Sequence, residues 1–143
     1  ELRERFGPPV IEIPNLQSEL RIKLQIGNSN SQSDLGMGVA LDMFVGQNGF
    51  DAIPGLVGGY HSAISMPVAS LATQYKVPQV SFGSTNAKLS NKDTYPYFLR
   101  TIPPDAIQGA GMWTFLAQFG VPSVSFLYSA ETYGEGLVTT VTD

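Results

Sequence analysis

The chain contains no cysteine, which excludes a disulfide framework, a thiolate metal site and a cysteine nucleophile. Redox usage therefore says nothing of its compartment. His61 is the only histidine, and no partner in the sequence marks it as an oriented general base. Lys and Arg total 8 against 12 Asp and Glu, a formal net charge of -4, so a basic face for a nucleic-acid backbone is not expected. There is no run of about 18 apolar residues, so no segment reads as a membrane span. The charged start, Glu1 to Arg5, is not followed by an apolar stretch and does not read as a signal peptide. Gly36 and Gly38 lack a third glycine and do not sit at a strand-to-helix junction, so they make no dinucleotide fingerprint. No Asn-x-Ser/Thr sequon, internal repeat or low-complexity tract occurs.

What is present suits a folded domain. Hydrophobic residues make up 43% of the 143 residues and charged residues 14%, enough to bury a core. Residues 1–20 carry Pro8, Pro9 and Pro14 and read as a loop-like lead-in. Arg21 to Ile26 alternates polar and apolar, which predicts a strand. Asp34 is placed to cap a helix running to Val45. A short strand follows over Ile53–Gly58, then a helix over Ala63–Tyr75, in which Pro67 fits only near the first turn. Val80–Phe82 and Tyr97–Thr101 read as strands, and Asp105–Phe119 as a helix ended by Gly120, with Trp113 on its core face. Ser123–Tyr128 predicts a further strand, and a last helix begins near Gly134 and is still running at Asp143. Such alternation is the signature of an α/β fold with a parallel sheet flanked by helices. Ligands of such sheets sit where strand ends meet helix starts.

Residues at those junctions carry the chemistry. In Gly58-Gly-Tyr-His-Ser-Ala63, backbone N–H groups at a helix start and the Ser62 hydroxyl suit a carboxylate; a glycine turn with Ser62 as N-cap is the simpler reading. In Ser81-Phe-Gly-Ser-Thr-Asn86, Gly83 permits close backbone approach and Ser84 and Thr85 offer hydroxyls, although a polar turn needs the same residues. In Thr101-Ile-Pro-Pro-Asp105, two prolines fix the chain beyond a strand. Asp105 suits an ammonium group, or forms a capping box with Gln108. In Ser129-Ala-Glu-Thr-Tyr-Gly134, Tyr133 offers a ring or hydroxyl to a ligand, or simply packs at a helix start. No nucleophile–base pair or metal cluster accompanies them, so an enzyme is not expected.

At these stretches the sequence resembles the bilobed ligand-binding domain of class C G-protein-coupled receptors and of bacterial branched-chain amino acid binding proteins. Those receptors include the metabotropic glutamate and type B gamma-aminobutyric acid types. The resemblance runs from about Arg21 to the end and is densest over Val77–Asp105, with Tyr133-Gly-Glu-Gly136 at the expected separation. It implies the periplasmic-binding-protein type I fold, with residues 21–101 as part of a first lobe and 102–143 as the start of a second. It further implies an amino acid or gamma-aminobutyric-acid-like ligand held between the lobes, with no cofactor. Ser62 falls at a position that meets the carboxylate and Thr85 at one that meets the carboxylate or the amine, with Gly83 and Ser84 alongside, while Asp105 and Tyr133 fall at those that meet the amine. A membrane receptor dimer signalling by lobe closure to a G protein, its ligand-binding part extracellular, is the implied setting. A periplasmic protein delivering amino acids to a transporter is the alternative, kept open by the missing cysteines and sequons. Gly83 departs from the serine frequent in glutamate receptors, and Tyr60 and His61 replace smaller residues. The Ser81–Thr85 wording, with Leu89-Ser-Asn91, leans toward the gamma-aminobutyric acid type, while Asp105 and Tyr133 lean toward α-amino acids.

Overall fold

A computed structural model describes residues 23–142, and before them the backbone of Val10–Ile11 and Leu20–Arg21. Those two short strands, β1 (Val10–Ile11) and β2 (Leu20–Arg21), pair antiparallel, Val10 opposite Arg21. The rest of the expected lead-in over 1–20 lies outside the described residues. A separate sheet of β3 (Leu56–Val57), β4 (Gln79–Ser81) and β5 (Phe98–Arg100) is parallel throughout, in that order, with Val57 opposite Val80 and Val80 opposite Leu99. Helices α1 (Ser33–Val45) and α2 (Ser62–Tyr75) pack together beside it, and a 3-10 turn over Ala87–Ser90 leads into β5. Helices α3 (Asp105–Gln118) and α4 (Thr132–Thr142) follow and pack on each other. The α/β class and parallel sheet match the sequence reading.

Helix α2 organises the core because it is apolar on two sides. Ile64, Val68 and Ala72, spaced four apart, form one stripe and pack with Ala40, Phe44 and Val77. Ala69, with Met66 beside it, packs on Leu89, Tyr95 and Phe98 across the helix. Pro67 lies beyond the first turn of α2, where its missing N–H leaves the Ala63 carbonyl without a helical donor. The Ser33 hydroxyl supplies that donor at 2.8 Å, which pins α1 to α2. Gly120 stops α3 as expected: at φ +62° it lets its own N–H reach Ala117 O and that of Val121 reach Leu116 O.

Several local expectations change. The strand expected over Arg21–Ile26 is limited to β2. Lys23 onward is irregular, with Ile26 81% exposed, and Gln25 bonds the backbone of Asp51 through both its amide groups. Ser123–Tyr128 forms no strand, because alternation supplies a face but not a ladder partner and none pairs with it among the described residues. Helix α1 begins at Ser33 with Gln32 at the N-cap, so Asp34 lies in the first turn rather than capping it. Trp113 is half-exposed, not core: α3 meets α4 through Gly109, whose missing side chain admits Val141, while the indole N–H reaches the Val141 carbonyl.

Candidate functional site

Two loops leave the sheet at the carboxyl ends of β3 and β4, and a cluster of buried serines joins them. The Gly59 carbonyl accepts from the hydroxyls of Ser65 (2.9 Å), Ser81 (2.6 Å) and Ser84 (3.0 Å). Ser84 Oγ also lies 2.7 Å from Ser65 Oγ and 3.1 Å from the Tyr60 carbonyl. Ser81 Oγ in turn accepts from the N–H groups of Gly83 (3.3 Å) and Ser84 (3.0 Å). Gly59 must be glycine here, because its φ is +79° and a Cβ would stand 2.1 Å from Ser65 Oγ. The two loops are thus tied to each other through the serine hydroxyls, the kind of support a binding site requires.

Between them opens a cleft of about 360 Å³. Of the expected site residues, Ser62, Gly83, Thr85 and Tyr133 share its wall. Tyr60, His61, Phe82, Ile102 and Glu131 complete it. Ser84 and Asp105 are not on the wall: both are fully buried, and the Ser84 hydroxyl and N–H are spent on the serine cluster. Ser62 is not the N-cap of α2, since His61 takes that place without a side-chain bond. The Ser62 hydroxyl instead accepts from Asn86 N at 3.3 Å, which leaves its own proton available.

Asp105 is the least expected part of the site. It does not cap α3, because Pro104 occupies the N-cap and no side-chain cap bond forms. Its N–H donates to the Thr85 carbonyl at 2.8 Å, which places it directly behind the cleft wall. Both carboxyl oxygens are buried without a hydrogen-bond partner, and so is Thr85 Oγ1. Burial raises the Asp105 pKa above the ordinary carboxylate range. The adjacent Thr85 hydroxyl and the Arg100 charge offset this only in part. Thr85 acts by proximity, without the geometry of a formed bond. Arg100 makes no ion pair with Asp105, because its guanidinium is drawn to the carbonyls of Ser84 (3.3 Å) and Asn86 (3.1 Å) and to Ser90 Oγ. Unpaired buried carboxyl oxygens are costly, and native sites keep them where something else supplies the donor.

Glu131, given no role by sequence reasoning, fixes the other side. Its carboxylate accepts from the N–H groups of Tyr133 and Gly134, each at 3.0 Å, and from Ser129 Oγ. The Tyr133 N–H is the main reason its pKa is lowered, and Gly134, Ser129 and the charge of His61 contribute further. It thereby caps α4 and sets Tyr133 on the cleft wall. The signal available beforehand was an acid just before a helix start. A larger cavity of about 590 Å³ adjoins α2 and α4. Within its lining, Asn86 Nδ2 donates to Thr132 O, Thr139 and Thr140 bond carbonyls of their own helix, and Lys88 and Glu135 add one charge of each sign. The 360 Å³ cleft, which gathers Ser62, Gly83, Thr85 and Tyr133 at the strand ends, is the candidate site. No three His, Asp or Glu side chains converge as metal ligands among the described residues.

This parallel α/β scaffold, with a cleft at its strand ends, has the form of a ligand-binding module. Residues 10–143 match the family described as the receptor family ligand binding region, and the chain belongs to that family. The family consists of receptor ligand-binding regions, not enzymes. Among curated proteins, the chain is 41% identical over 83 residues to the probable metabotropic glutamate receptor mgl-1 of Caenorhabditis elegans, covering 58% of this chain and 8% of that protein. It is 37% identical over 92 residues to human metabotropic glutamate receptor 8, covering 64% of this chain and 10% of that receptor. The chain thus spans a tenth or less of the length of these relatives. No described helix is long and apolar enough to cross a membrane.

Proposed function

We propose that the cleft binds an amino acid as part of the extracellular ligand-binding region of a class C G-protein-coupled receptor. The observation that carries this is that Thr85, on the cleft wall, and Asp105, directly behind it, both have buried side-chain oxygens without partners. An ammonium group supplies what both need: a positive charge for the carboxylate and several N–H donors. Ser62, with the N–H groups at the start of α2, faces the ligand carboxylate, while Gly83 and Ser84 shape the adjoining loop rather than donate to it. The Tyr133 ring lies over the amine. Residues 21–101 belong to the first lobe and 102–143 to the second, so only closure satisfies both ends of the ligand and shifts the population to the closed form. A receptor dimer then carries closure to the G protein. The similarity to metabotropic glutamate receptors favours this reading over a periplasmic transport protein. Calorimetric titration of the complete ectodomain with the common amino acids and gamma-aminobutyric acid tests it. An α-amino acid is expected to bind and Asp105→Ala to abolish binding; unchanged binding in the variant would exclude the amine role.

A further inference from the structure

Gly83 is glycine for an unusual reason. Its backbone is not in the left-handed region, so any residue fits it conformationally. What occupies the space of a side chain is the Tyr60 ring: a Cβ at position 83 would lie 2.4 Å from Tyr60 Cδ2 and 2.8 Å from Cε2, so the ring would have to shift. Tyr60 therefore fills the space that a side chain at 83 would take, from the other loop of the cleft. Its ring is braced edge-on by His61 at 5.0 Å between centroids and stands 6.1 Å from Phe82. Its carbonyl is tied to Ser84 Oγ, so the ring is mounted on the rigid serine cluster. Yet Tyr60 is 60% exposed, a large apolar face on the cleft wall that the described residues leave open.

We infer that Tyr60, seated on Gly83, contacts the ligand and sets the size of the group accepted at that point of the cleft. This rests on the amino-acid-binding reading above. Aromatic side chains suit the role because they present a broad, stiff surface at low entropic cost. The pair is coupled: a methyl group at 83 acts by displacing the ring, and it has nothing to displace once the ring is gone.

A double-mutant cycle in the complete ectodomain tests this, read as affinity for the tightest-binding amino acid of the panel. Gly83→Ala is expected to weaken binding by about tenfold in the presence of Tyr60, but to change it by less than about twofold in a Tyr60→Ala background. Tyr60→Ala is expected to weaken binding and raise the affinity ratio of bulky to small amino acids. Equal effects of Gly83→Ala in both backgrounds, or a Tyr60→Ala variant that binds and selects like the parent, would overturn the inference while leaving the binding reading intact. Failure of the parent to bind any amino acid would remove both.

Discussion

Replacing Ser81 by alanine removes the hydroxyl that stitches the two cleft loops together. Its oxygen donates to the Gly59 carbonyl and accepts from two N–H groups, those of Gly83 and Ser84. Gly59 O retains Ser65 and Ser84, so that loss costs about 1 kcal/mol, the net value of an ordinary hydrogen bond. The Ser84 N–H is more serious: Ser84 is fully buried, and an orphaned buried donor costs about 1–3 kcal/mol. The Gly83 N–H lies nearer solvent and can turn to water. Ser81→Ala should therefore destabilise the fold by about 2–4 kcal/mol. Ser70→Ala is the control, because Ser70 is exposed and bonds only the Met66 carbonyl of its own helix; it should cost less than about 0.5 kcal/mol. Urea denaturation of the complete ectodomain, with m-values compared, measures both. Equal stability of the two variants would refute the view that the serine cluster holds the loops.

Other substitutions test separate joints. Asp105 has a raised folded pKa, so its contribution is fully present below the unfolded value of about 3.9 and is lost as pH rises through the folded value. Stability of the ligand-free protein, measured by urea at stepped pH, should fall across that window, and Asp105→Asn should remove the step. Gly59→Ala must place a Cβ against Ser65 at a positive φ, so it should cost well over about 1–2 kcal/mol, read as a lowered urea midpoint. Ser33→Ala withdraws the donor from the carbonyl that Pro67 leaves open and should cost about 1–2 kcal/mol; an additional Pro67→Ala, which restores the helical donor, should recover most of it.

Helices were legible because their signals are local. The apolar spacing of α2 and the stop at Gly120 depend on neighbours within a few residues, and the structure keeps them within one residue of the reading. Strands over Arg21–Ile26 and Ser123–Tyr128 were not, because a strand exists only with a ladder partner that alternation cannot name. The junction stretches were found as a group, since strand ends and helix starts mark where a parallel sheet holds ligands. Roles within them depend on tertiary geometry. The spacing of Asp105 and Gln108 fits a capping box, but Pro104 takes the N-cap and Thr85 takes the Asp105 N–H, which turns the carboxyl into a buried unpaired group. Ser84 has the hydroxyl of a ligand contact and spends it on Ser65 and Gly59. Nothing in the sequence ties Gly83 to Tyr60; only the packed loops do.

Contact between Asp105 and a ligand amine can be tested by a change on the ligand, with the fold untouched. The measurement is the affinity of the complete ectodomain for its tightest-binding amino acid and for the α-hydroxy acid of the same skeleton, repeated in Asp105→Asn. Leaving a buried charge unpaired costs about 2–5 kcal/mol, so the parent should prefer the amine by about 30-fold or more, and Asp105→Asn should erase most of that preference. A parent that binds amine and hydroxyl alike, or a variant that discriminates as well as the parent, would contradict the account.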